Sequence, residues 1–195
     1  MTRQFSALLS LVLLLGAADA LAQEPKPQAD GPLVVRTGAA GGAVQLTVFC
    51  DIEEEACQRL VVVLRRVVET YPEQVGVMFR HHAAEGHTQS PLAYRSALAA
   101  ARQGKGWELL DMACANPDRL IDAGLRSMAA QLQIDVGRFV SDIEAADVAQ
   151  VLEDDEKEAE TLKVASVPAM LLNGTRVPDT SNFDAIDAAI RAVIK

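Results

Sequence analysis

Sulfur chemistry is the first chemistry this chain suggests. Its three cysteines are Cys50, Cys57 and Cys114, and the first two bracket an acidic run, Cys50-Asp51-Ile52-Glu53-Glu54-Glu55-Ala56-Cys57. A thiol at a helix N-terminus meets free backbone N–H groups and roughly half a positive charge, which favour thiolate. Here Asp51, Glu53, Glu54 and Glu55 place full negative charges within about two turns of Cys57, and these oppose a neighbouring thiolate. We therefore expect Cys57 to react slowly. Cys50 lies seven residues earlier and leaves two readings open. One is a strand-to-helix disulfide with Cys57, structural or a displaced redox pair, if the Cα atoms come within about 7 Å. The other is two unconnected buried thiols. An odd cysteine count leaves at least one thiol without an intrachain partner.

The second cluster is Arg80-His81-His82-Ala83-Ala84-Glu85-Gly86-His87, which holds all three histidines of the chain. A metal site would draw on His81, His82, His87 and Glu85. Adjacent histidines on a strand point to opposite faces, and the run lacks a regular ligand spacing. It reads instead as a polar loop leaving a sheet, and no metal or cofactor is expected.

The elements that must position these residues follow from periodicity. Residues 44–50 form a short, mostly apolar, β-branched run after a glycine-rich break, the pattern of a buried strand. Residues 53–70 repeat apolar side chains at Cys57, Leu60, Val61, Leu64, Val67 and Val68, one helical face. Asp51 is placed to cap that helix, with Glu54 three residues on as its capping-box partner. Residues 33–36 and 74–80 read as further strands. A helical block spans about 90–162, with helices over 91–103, 107–114, 119–131, 136–143 and 147–162. Within it Trp107 reads as a packing anchor and Cys114 as a small buried hydrophobe. The acidic run 153–160 reads as a solvated helix face. Sheet character returns over 164–174, with Pro168 at a strand start, where its missing N–H is tolerated. Asn173-Gly174 marks a hairpin turn, and Ser181 is placed to cap a final helix carrying Ala185, Ile186, Ala189, Ile190 and Val193 on one face.

Residues 1–22 read as a secretory signal peptide: Arg3, an apolar run over 7–18 too short to span a bilayer comfortably, and a small-x-small site at Ala20-Leu21-Ala22. The expected destination is periplasmic or secreted, an oxidising setting. Removing residues 1–22 leaves about 173 residues and a net charge of −9, enough chain for one domain with a sizeable core. That acidity argues against nucleic acid or an anionic membrane surface as partner. Residues 23–42 read as a proline-rich flexible lead and a first short strand, and 43–195 as the domain proper.

Phe49-x-Asp51 followed by Glu54-Glu55-Ala56-Cys57 resembles the active-site strand and helix of DsbA-type thiol–disulfide oxidoreductases, within the thioredoxin superfamily. Gln103-Gly104-Lys105-Gly106-Trp107-Glu108 through Asn116 is similar to that family's helical insertion, and Val167-Pro168 matches its cis-proline loop in place and context. The family also carries an arginine-to-histidine loop with a histidine at the place of His87. The resemblance covers about 43–195. It implies an α/β thioredoxin fold with an inserted helical domain. It also implies Cys57 as the second, resolving-type cysteine and Glu54 in place of the first, attacking one. Beside them, Val167 and Pro168 would receive an extended substrate chain. Extended or unfolded exported polypeptides, and a redox partner protein, are the partners it implies.

Three functions follow. A redox protein would act through Cys57 alone or with Cys50. A binding module, chaperone or adaptor would keep the cis-proline face without redox chemistry. A metal carrier would use the histidine loop. Because Glu54 cannot form a disulfide, we expect a family member with weak or no ordinary turnover.

Overall fold

The computed structural model describes residues 33–194; the expected signal peptide and residues 23–32 lie outside them. In chain order the elements are β1 (Val35–Gly38), β2 (Val44–Cys50), α1 (Glu55–Thr70), β3 (Val75–His81), α2 (Ser90–Ala101), α3 (Gly106–Cys114), a 3-10 turn (Pro117–Arg119), α4 (Asp122–Gln131), α5 (Val136–Ile143), α6 (Ala146–Thr161), β4 (Ala169–Leu172), β5 (Thr175–Arg176) and α7 (Phe183–Arg191). The five strands form one sheet in the order β1-β3-β2-β4-β5. β2 and β3 run parallel, joined by α1 as their crossover, and the other pairings are antiparallel. This is the thioredoxin fold with α2–α6 inserted between β3 and β4.

β2 lies at the centre, and its sequence shows why. Val44, Leu46, Val48 and Cys50 alternate onto one face and join the main core with Cys57, Leu60, Val61, Leu64 and Val67 of α1. Phe49 points the other way, into a second core of Ala159 from α6, Val164 and Ala169. A strand covered on both faces loses the polar alternation of a half-exposed one. Its last three residues are accordingly apolar and fully buried.

The pairings bring the site together. Cys50 lies opposite His81 and Phe49 opposite Ala169. The C-terminal ends of β2 and β3, the start of α1 and the loop before β4 thus share one edge of the sheet. In that loop the Val167–Pro168 peptide bond is cis. Asn173 and Gly174 both take positive φ, 49° and 81°, the geometry that a two-residue hairpin with Asn-Gly favours.

Four local expectations are corrected. Helix α1 starts at Glu55, with Glu54 as N-cap and no side-chain cap bond; Asp51 turns elsewhere. The final helix is capped by Asn182, whose side chain accepts from Ala185 N–H, rather than by Ser181. That helix ends at Arg191, which leaves Val193 45% exposed. The acidic run on α6 is not wholly solvated: Asp155 is fully buried. β1 pairs with β3 only as far as Phe79. Asp155 takes over beyond it, accepting from His81 N–H and Arg80, each at 2.9 Å. Burial pushes its carboxyl up to about 6 against these bonds.

Truncating Phe49 to alanine should empty the second core and cost about 3–5 kcal/mol, read as a lower urea midpoint. Val62→Ala, at a side chain 59% exposed on α1, should move stability by less than about 0.5 kcal/mol. Equal effects of the two would show that Phe49 is not a core residue.

Candidate active site at the β2–α1 corner

The corner is organised by the Asp51 carboxylate. β2 carries it directly into the interior, where it is fully buried. One oxygen accepts from Glu53 N–H at 2.9 Å. The other accepts from Ala84 N–H at 2.8 Å and meets His87 Nδ1 at 2.6 Å. Burial works to raise its pKa, but the bonds from Ala84, His87, Ser90 and Glu53 outweigh burial and hold it below the usual carboxylate range. Reciprocally, the hydrogen bond to Asp51 raises the His87 pKa, and the charges of Asp51, Glu53 and Glu54 add to it. The pair ties the histidine loop to the strand end.

Glu53 and Ser90 complete this frame. Glu53 accepts from Gln89 N–H at 2.8 Å and Ser90 N–H at 2.7 Å, while Ile52 N–H donates to Ser90 Oγ at 3.1 Å. The start of α2 is thereby held against the start of α1. Sequence reading missed this because a carboxylate that caps its own helix and one that caps a neighbour look alike in a string of residues.

All three cysteines are free thiols and buried. Cys57 sits in the first turn of α1, and its Sγ accepts from Asp51 N–H at 3.3 Å. The Cys57 thiol lies against that of Cys50, whose pKa is driven well up by burial first and then by this neighbour. Burial likewise raises Cys114. The four carboxylates expected to crowd Cys57 are mostly engaged: Asp51 with His87, Glu53 with the α2 start, and Glu55 with Arg59. Zero exposure of Cys57, more than charge, separates it from solvent.

Glu54 is half-buried in an extended backbone conformation at the N-cap of α1. Among the described residues its carboxylate has no hydrogen-bonding or ion-pair partner. Two residues on, Ala56 lines a cleft of about 320 Å³ with Arg59, Leu60, Pro168 and Pro178–Ser181. The α1 residues on either side of buried Cys57 thus face the cis-proline. Val167 is half-buried, and among the described residues no hydrogen bond engages its N–H or C=O.

The histidines diverge. His81 is buried and stacks on Tyr94 with ring centroids 5.4 Å apart, and burial lowers its pKa. His82 pairs with Glu156 at 2.6 Å, His87 pairs with Asp51, and Glu85 is exposed. The four residues that a metal site in this loop would draw on are therefore not brought together. Among the described residues Asp51, Glu53 and His87 do have ligand-type atoms within 4.8 Å of one another, but each is already held by the bonds above.

With this geometry in hand, similarity to known proteins is informative. The family model of the DsbA-like thioredoxin domain matches residues 50–191. A thioredoxin-like oxidoreductase from Silicibacter pomeroyi superposes with a TM-score of 0.72 at 24% identity, covering 83% of this chain and 94% of that one. The thiol-disulfide exchange protein alpha-DsbA2 from Wolbachia pipientis gives 0.74 at 16% identity, covering 82% and 86%. These two likenesses concern the fold. Among curated proteins, the Na(+)/H(+) antiporter NhaA 3 of Salinispora tropica is 28% identical over 178 residues, which is 91% of this chain and 27% of that protein. The chain spans about a quarter of that relative's length. Among the described residues no helix is long and apolar enough to cross a membrane.

Two measurements test the corner. Native protein should alkylate slowly at all three thiols at neutral pH, and rapidly once unfolded in denaturant; fast labelling of folded Cys57 would contradict its burial. The His87–Asp51 pair has a defined pH window. A raised histidine contributes stability below its unfolded pKa of about 6.5 and loses it as pH rises through the folded value. A depressed aspartate contributes above about 3.9 and loses it as pH falls through the folded value. His87→Ala should therefore flatten the fall in urea midpoint above about pH 6.5, and an unchanged slope would assign that fall to another group.

Proposed function

The chain belongs to the DsbA-like thioredoxin family, and from that premise we propose that it is an exported member with little or no ordinary disulfide exchange, whose retained activity is to hold extended polypeptide at the cis-proline face. The observation that carries this reading is the pairing of Glu54 with a buried Cys57 beside an open cleft. Exchange begins with an accessible thiolate attacking a substrate sulfur. Glu54 offers no sulfur to attack with, and Cys57 and Cys50 are covered.

Binding needs less. An extended chain requires unpaired backbone groups to bond with and apolar surface to lie on. Val167 offers the first, and Ala56, Leu60, Pro168 and Pro178 the second. Export rests on the pattern of residues 1–22, and it would deliver the protein to the compartment where unfolded exported chains occur.

The test compares native protein with Glu54→Cys in reductive cleavage of insulin disulfides. Native protein should stay near background, and the variant should exceed it by about tenfold or more. Cys57→Ser should abolish the variant's gain while leaving peptide binding by the native protein unchanged. Equal turnover by native protein and Glu54→Cys would show that Cys57, alone or with Cys50, suffices for exchange.

A further inference from the structure

We propose that the cis-proline cleft selects extended peptides carrying lysine or arginine, with Glu54 as the group that makes the selection. The inference rests on the peptide-binding reading above and specifies the chemistry of its ligand. The cleft's floor is apolar, but its charges are not balanced. Two ionisable side chains line it, Arg59 and Asp179. Arg59 is held by Glu55 on the next turn of α1, so its charge is already met. Asp179 is exposed and accepts from Ser181, its N–H at 2.8 Å, with no cationic partner among the described residues. Glu54 stands at the N-cap two residues before Ala56, at the edge of the lining, without a partner of its own among the described residues. The nearby His87 is matched by Asp51. Asp179 in the lining and Glu54 beside it therefore have no cationic partner among the described residues, and the backbone donor and acceptor of Val167, next to the lining Pro168, are also unpaired.

The helix end offers Glu54 only a partial positive charge, so a full cation laid across the cleft gains more from the site than a neutral group. An acidic peptide would add like charge to a half-buried carboxylate, which disfavours it. The protein's net charge of −9 works in the same direction at longer range.

The experiment is fluorescence anisotropy on the whole protein with three labelled peptides of equal length, identical except for a central Lys-Lys, Gln-Gln or Glu-Glu pair. The lysine peptide should bind about fivefold more tightly than the glutamine one at low ionic strength, and the difference should shrink in high salt. Glu54→Gln should remove most of that preference and Glu54→Lys should reverse it, with thermal melting confirming that both variants fold. Equal affinity for all three peptides, or preference for the acidic one, overturns this inference while leaving peptide binding intact. Failure to bind any of the three overturns both. A stable dimer in sedimentation that excludes all three peptides would assign the cleft to a second copy of the chain, and overturns it as well.

Discussion

A buried carboxylate at the end of a central strand is the constraint from which this site is built. Asp51 enters the interior because β2 delivers it there, and a charge in that position must be met by donors or neutralised. Ala84 N–H, Glu53 N–H and His87 meet it. Each of these partners lies on a segment that would otherwise be a connecting loop. The histidine loop is drawn over the strand end, and the turn into α1 is fixed in one conformation. Glu53 then extends the same logic to α2, accepting from the N–H groups of its N-cap Gln89 and its first residue Ser90.

Clasps between the insertion and the sheet repeat this arrangement. Asp155 and Glu156 of α6 take His81 N–H, Arg80, His82 and Ala83 N–H where β3 runs past the end of β1. Strand-end groups that a longer β1 would have paired are paired by a helix. On the same face of the sheet as Arg80, its register partner, Phe49 makes the apolar contact with the same helix. Helix α6 is thus joined to the sheet by one dry patch and one polar seam, while α2 and α3 pack on it through the main core.

The fold was legible wherever burial leaves a period. The α1 face from Cys57 to Val67, the all-apolar end of β2 and the Asn173-Gly174 turn each carried a pattern that survives without coordinates. Boundaries fell within a few residues because caps are interchangeable in sequence: Ser181 and Asn182 are both good caps, and packing chose Asn182. Asp51 and Asp155 were misread for a shared reason. Each looked local, a cap in one case and a surface acid in the other, and each spends at least one oxygen on residues more than thirty positions away. Glu54 was visible as a departure at once, but its lack of a partner was not. That depends on which of its neighbours had been taken.

The concealment of all three thiols would have a consequence in the oxidising medium proposed above. Proteins with a reachable thiol are prone to capture there, as mixed adducts with small thiols or as covalent pairs with one another. Cys50, Cys57 and Cys114 are all shut away. The folded molecule should therefore keep its cysteines chemically unmarked through swings in ambient potential.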